Sequence, residues 1–427
     1  MKRFNQPIII IGILFFVFGF VTWLGSVLIP YLRIACQLNS FSSYLVAFSF
    51  YISYTIMAVP SAAVLHRTGY KKGMALGLLI MAIGAALFIP AALARSYQSF
   101  LTGLFIQGTG LAILQTASNP YVTILGPRES AARRISIMGI CNGIAGAIAP
   151  LIIGSVTLQD ADAIRERVTH LPPAQKIALL DTLAHRVITP YIIIALALAL
   201  LSTWVFFSGL PELDSEPETD TTMADTSPYQ TTPASPTAPP SRTTIFQFPH
   251  LLLGVLTLFL YVGVEVIAGD TIINYGVSQG IRLSTARFFT SFTLSGMLLG
   301  YLLGILLIPK YLSPTRTLKI CAGLGLVFAL AALCTHGLVS VTFIVLLGLA
   351  NSLVWPSIWP LAIHGLGRFT PIGSSFLIVA IGGGAVLPLL YGWLADLSTP
   401  QHAYWLVIPC YACIGWYAMI GHKAGLR

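Results

Sequence analysis

Charge is what this chain has least of. Asp, Glu, Lys and Arg make up 9% of its 427 residues, where a soluble domain carries about a quarter. A water-facing surface cannot be built from so little charge, so a soluble globular fold is excluded. Acids are the scarcer sign, 14 against 23 bases. The resulting excess is spread through short connectors and not along one face or in a block, which argues against a nucleic-acid partner. Enzyme signatures are missing too. There is no phosphate-binding loop, no metal-ligand cluster, and no His placed beside a Ser or Cys in a local catalytic motif, so neither an enzyme nor an ATP-driven pump is expected. Of the six cysteines, Cys410 and Cys413 have CxxC spacing, but both lie inside the last apolar run, where a packing role fits better than a redox one.

What fills the chain instead is apolar sequence. Hydrophobic residues make up 56% and the mean hydropathy is +0.84. Runs long enough to cross about 30 Å of hydrocarbon follow one another. Twelve can be drawn, roughly at 8–32, 43–65, 73–95, 99–125, 135–157, 189–210, 249–275, 287–308, 317–337, 341–364, 373–396 and 404–421. None alternates like a barrel strand, and unpaired backbone cannot sit in lipid, so each must be a helix and the fold an all-α membrane protein. Lys2-Arg3 before the first run resembles the start of a signal peptide. The run lacks a small-residue cleavage site and continues to about Leu32, which reads as a first transmembrane helix.

One segment interrupts the pattern. Residues 211–245 are rich in Thr, Pro and Ser and hold Glu212, Asp214, Glu216, Glu218, Asp220 and Asp225. Such a stretch buries too little apolar surface to order itself. It divides the chain into a six-helix half at 1–210, a flexible cytoplasmic linker at 211–245 and a second six-helix half at 246–427. Of the 23 Lys and Arg, eight (Arg33, Arg95, Arg165, Arg167, Lys176, Arg186, Arg282 and Arg287) fall on one side of the membrane, leaving fifteen on the side of the termini. Four of the eight share one longer loop with Asp160, Asp162, Glu166 and Asp181. The bias sets both termini in the cytoplasm, in the cytoplasmic (inner) membrane.

The halves echo each other. His66-Arg67-Thr68-Gly69-Tyr70-Lys71-Lys72-Gly73 follows the second run, and Pro309 to Arg316 forms a short basic connector after the eighth. Repeated halves around a midplane site are a common transporter plan. The first connector resembles the Asp-Arg-x-Gly-Arg-Lys signature of the major facilitator superfamily. That resemblance assigns Arg67, Gly69, Lys71 and Lys72 to a gating loop, weakened by His66 in place of the usual Asp.

A charge at the bilayer centre costs at least about 2.5–3.5 kcal/mol on insertion scales, so it calls for a reason. Six acids lie in the linker, four in the loop before the sixth run, Glu129 in a connector and Asp396 at a helix end. That leaves Glu265 and Asp270 in the seventh run. Five helical positions turn them about 140° apart, so they share one site only if the helix breaks at Gly269. Either is a candidate for a cation or proton site or an acceptor for sugar hydroxyls; the alternatives are a structural hydrogen bond and, for Asp270, a place near the interface. Asn274, one turn on, extends the same polar face. The fourth run carries Gln107, Gln115 and Asn119, loosened by Pro120, and the fifth carries Asn142. Carboxamides both donate and accept, which suits a neutral polyhydroxylated ligand, although they also serve as glue between helices. Asn351 opens a tenth-run stretch in which Trp355 and Trp359 sit one turn apart, each before a proline. Two indoles beside a kink suit the apolar face of a pyranose ring, with an aromatic belt as the alternative.

These segments resemble the fucose–proton symporter and glucose/galactose transporter family of that superfamily. The likeness is strongest in Phe15 to Phe20, Leu114 to Gly126, Arg134 to Asn142, Leu260 to Asp270 and Asn351 to Pro360. It implies a twelve-helix fold of two six-helix halves, transport by alternating access, and a central sugar site that includes Gln115, Asn119 and Asn142. It implies no cofactor, with H+ or Na+ as the coupling ion, and a monomer whose partners are a small sugar and the lipid bilayer. Fucose–proton members carry an Asp in helix 1 and a Glu in helix 4, where this chain has Ser26 and Gln115. A hexose such as glucose or galactose is therefore expected ahead of fucose, and coupling falls to Glu265 or Asp270. An exporter of drugs or other small molecules in the same fold, or a membrane sugar sensor that does not transport, are the other readings.

Overall fold

The computed structural model describes residues 2–124, 131–210, 244–308 and 311–425. The linker expected over 211–245 lies almost wholly outside them, as do Pro309 and Lys310 of the second basic connector. Among the described residues the regular structure is all helical. Spans 1–6 are Pro7–Ala35, Ser40–Thr68, Tyr70–Leu93, Tyr97–Ile124, Ala131–Thr157 and Ile188–Phe207. Span 7 is Pro249–Asp270 continued by Ile272–Ser278, and spans 8–11 are Leu283–Leu307, Pro314–Cys334, Gly337–Ala362 and Ile372–Leu397. Span 12 runs over 400–419 as two α-helical pieces, Pro400–Ala403 and Val407–Met419, joined by a tighter turn at Tyr404–Leu406.

Local chemistry sets the ends and bends. Asn39 precedes span 2 in an extended conformation and its side chain accepts from the Ser42 N–H, supplying one of the amides a helix start leaves unpaired. Gly69 closes the same helix at φ 77°, a backbone region that favours glycine, so the chain turns at once into span 3. Span 10 breaks between Asn351 and Val354. Pro356 explains the position, because its ring clashes with the carbonyl four residues back, that of Ser352.

Close helix approach relies on small residues. A Cβ on Gly77 would sit 2.7 Å from the Gly110 carbonyl, so spans 3 and 4 touch backbone to backbone. Ser202 ties span 6 to span 3 by donating to the Ala75 carbonyl at 2.7 Å.

The charged loop expected before span 6 is a sequence reading that the structure corrects. It is not a simple loop but two short helices, Ala161–His170 and Pro173–His185. Pro173 starts the second one, at the position where a helix has no use for the missing N–H. Leu180, Leu183 and Ala184 bury its inner face, and the Tyr31 hydroxyl of span 1 donates to the Leu183 and Ala184 carbonyls at 2.6 and 2.9 Å. Arg95 pairs with Asp181 at 3.0 Å on the same surface.

The two halves meet along span 2 against span 11 and span 5 against span 8. Trp23 lies in this seam with Ala147 from its own half and Leu294 and Met297 from the other. Among the described residues, several polar contacts between the halves lie at the end opposite the chain termini. There Asp396 reaches the start of span 2, Asp162 reaches the start of span 8, and Arg287 donates to the Gly154 carbonyl at 3.4 Å. Nearer the middle, Thr55 donates to the Val379 carbonyl, also at 3.4 Å.

Candidate functional site

Span 7 is unbroken from Pro249 to Asp270, and the interruption comes at Thr271, not at Gly269. Glu265 and Asp270 therefore keep the separation expected of five helical positions, and each has its own surroundings. Glu265 stands beside the hydroxyl of Tyr261, one turn earlier, and Tyr301 of span 8 and Tyr411 of span 12 stand nearby. Tyr411 in turn donates to the Asn351 Oδ1 at 2.8 Å, which joins the span 10 break to the same cluster. The Asn351 Nδ2 is buried with no hydrogen-bond partner among the described residues. A donor left open next to Tyr411 is the kind of group a hydroxylated ligand completes.

Asp270 faces the seam. It is 1% exposed, and its Oδ1 has no hydrogen-bond partner among the described residues. Its Oδ2 lies 3.7 Å from where a Cβ would stand on Gly25 of span 1. One residue before it, Gly269 leaves room for Trp23; a Cβ there would come within 2.3 Å of the indole. Tyr51 of span 2 stands close to both Asp270 and Glu265, and Tyr44 of the same span stands beside Asn274. The first half thus supplies two phenols to the polar face of span 7.

The amides of the first half form a separate group. Along span 4 exposure rises from Gln107, at 1%, through half-buried Gln115 to exposed Asn119, toward the end that carries the termini. Asn142 of span 5 is half-buried and leans on span 1, where a Cβ on Gly19 would lie 2.6 Å from its Oδ1. In the second half Trp355 and Trp359 stack on each other, ring centres 5.6 Å apart and planes 24° apart, with both side chains half-buried. The expected site residues thus fall into three sets: span 4 and 5 amides, a span 7 carboxylate line, and a span 10 break with its indoles. A direct hydrogen bond links Asn351 to Tyr411, which stands near Glu265, while Asn274 lies beside Tyr44 of the first half. Arg67, Lys71 and Lys72 flank Gly69 at the end of span 2 that lies on the side of the termini, the side toward which Asn119 is placed, and apart from the span 7 carboxylates.

Sequence reasoning missed the tyrosines and Trp23. Inside apolar runs they read as packing. The available signal was the spacing of Tyr261 and Glu265, four residues apart and so on one helix face. A cavity of about 700 Å³ lies elsewhere, among the loops of the second half between Ser278 and Trp405. Its glutamines are already engaged: Gln401 donates to the Ala332, Leu333 and Thr335 carbonyls, and Gln279 accepts from the Gly337 N–H.

The chain matches the profile of the Major Facilitator Superfamily over residues 11–376. It is 33% identical to a glucose/galactose transporter of Brucella abortus biovar 1 (strain 9-941), covering 99% of this chain and 96% of the relative. It is 30% identical to the L-fucose-proton symporter of Escherichia coli (strain K12), covering 93% of this chain and 88% of the relative. Among solved structures it resembles the transporter FucP in its outward conformation, with a TM-score of 0.70 and 29% identity, covering 98% of this chain and 99% of that one.

Proposed function

Because the chain belongs to the Major Facilitator Superfamily, we propose that it is a secondary transporter that carries a neutral hexose across the cytoplasmic membrane by alternating access. The observation that carries this reading is a set of uncharged donors and acceptors in an otherwise apolar bundle, matched end to end by a glucose/galactose transporter. Gln115, Asn119, Asn142 and Asn351 bond the sugar hydroxyls, and Trp355 or Trp359 packs on the ring. Both termini face the cytoplasm, and the basic Arg67–Lys72 connector lies on that side as part of the gate. Residues 211–245 join the halves as a solvated linker, and the transporter works as a monomer.

Glu265 and Asp270 carry the coupling. A charged carboxylate inside the membrane costs several kcal/mol, so the halves rock past each other more easily when a proton or a sodium ion neutralises it. Asp270 lies where the halves touch and Glu265 beside the Asn351 cluster, so one ion-linked line connects seam and sugar. The test is uptake of labelled glucose and galactose into proteoliposomes under a proton gradient, under a sodium gradient, and under neither. Wild type accumulates sugar under one gradient. Glu265→Gln still equilibrates sugar but loses accumulation by at least about tenfold, the loss expected when about 1.4 kcal/mol of coupling is removed. Full accumulation in Glu265→Gln and Asp270→Asn alike would remove the carboxylates from the mechanism.

A further inference from the structure

Two acids set aside in the sequence as loop or helix-end residues make the same contact twice. Asp396, in the last turn of span 11, accepts from the first two amides of span 2: Ser40 N–H to Oδ1 at 2.9 Å and Phe41 N–H to Oδ2 at 2.7 Å. Asp162, in the helix that follows span 5, accepts from the first two amides of span 8: Leu283 N–H to Oδ1 at 2.7 Å and Ser284 N–H to Oδ2 at 2.9 Å. Spans 5 and 11 are the fifth helices of their halves, and spans 2 and 8 the second. Each half therefore contributes one carboxylate and one pair of amides, and each carboxylate crosses to the other half.

We propose that Asp162 and Asp396 are paired latches that hold the periplasmic side of the transporter shut and so set the balance between its inward-facing and outward-facing states. The amides that open a helix have no partner within it, and a carboxylate facing them makes charge-assisted bonds that also complement the helix dipole. Such bonds can be released, because both partners meet water once the halves part. Asp396 is exposed and Asp162 half-buried, which suits contacts that form and break in every cycle. Their occurrence in reciprocal positions argues against chance, since the two halves share only a faint sequence echo. In a chain with 14 acids, two spent in this way mark closure of that side as something the sequence specifies. Arg287 to Gly154 bridges the same end without a carboxylate.

The inference rests on the transport reading for its consequence, but its test needs no substrate. Spin labels are attached at Gln98→Cys and His336→Cys, exposed sites on opposite halves at the latched end, in a cysteine-free background in nanodiscs. Pulsed dipolar distances are then compared between the reference protein and latch variants. Removing a carboxylate cap shifts an equilibrium by about fivefold, so Asp162→Ala and Asp396→Ala each raise the long-distance population by that factor, and the double variant raises it further. Ser40→Pro attacks the other partner. It deletes one amide at a first-turn position that tolerates proline, after an Asn39 already extended, and it is expected to act like Asp396→Ala. Asp181→Ala is the control, because it breaks an ion pair within one half at the same end and leaves the distance unchanged. Unchanged distances in the double variant, or an equal shift in the control, would overturn the proposal. Failure of sugar uptake with the distance shift intact would count against the transport reading alone.

Discussion

Glu265 and Asp270 are chemically alike and differently housed, and the difference decides what each can do. Glu265 has a tyrosine beside it on its own helix and faces the Asn351 break, while Asp270 is pressed against the span 1 glycine with one oxygen unpaired. The indoles of span 10 make a similarly specific claim. If either stacks on a sugar ring, Trp355→Ala or Trp359→Ala raises the half-saturating hexose concentration about tenfold, with a smaller effect for Phe, as loss of an aromatic contact requires. Equal effects of Ala and Phe, or none at all, would return the pair to simple packing. Asp162 yields a pH prediction. Burial works against its charge, but the Ser284 and Leu283 amides and nearby Arg282 outweigh it and hold its carboxylate below the usual range. A depressed folded value means that its contribution is complete above the unfolded pKa of about 3.9 and is lost as pH falls through the folded one. In an Asp396→Ala background the latched-end distance should therefore hold steady from neutral to mildly acidic pH, and lengthen only below about pH 4. Lengthening already near pH 6 would assign the change to another group.

At the level of helices, much was legible. Apolar length alone located the spans, because lipid leaves the backbone no alternative to a helix. Where the reading failed, tertiary contact had overridden local pattern. The stretch at 158–187 read as a charged loop, yet it folds as two helices. Leu180, Leu183 and Ala184 fall at helical spacing over one turn only, too short a run to be read as a helix, and the Tyr31 hydroxyl that holds them is 152 positions away in sequence. Asp396 looked like an ordinary helix-end acid because its partners, the Ser40 and Phe41 amides, are more than 350 positions away in sequence. The amides and indoles of the candidate site could be named from the sequence, but their grouping could not, since it depends on which faces the halves present to each other. Small residues control that grouping. Gly269 admits Trp23 to the seam, and Gly269→Ala would place a methyl group within 2.3 Å of the ring. The helix itself tolerates alanine, so the variant should fold normally yet favour the state open at the end opposite the termini, detected by the same spin-label pair. An unchanged distance would show that the indole yields without parting the halves.

For the whole molecule, these features describe two bundles that pivot on a polar midline, joined at one end by contacts that can be broken. Spans 2, 5, 8 and 11 carry the seam, span 7 carries the charge, and spans 4, 5 and 10 carry the groups suited to a sugar. Such a machine exchanges substrate without any ion gradient, because the loaded carrier can rock in both directions. The most direct measurement of this is counterflow. Vesicles containing the purified protein are loaded with unlabelled glucose or galactose and diluted into a trace of the same labelled sugar with no ion gradient. A transient accumulation of label well above its outside concentration, absent from vesicles loaded with a sugar alcohol, is the expected result. Saturable binding of the sugar with no counterflow would contradict transport by alternating access.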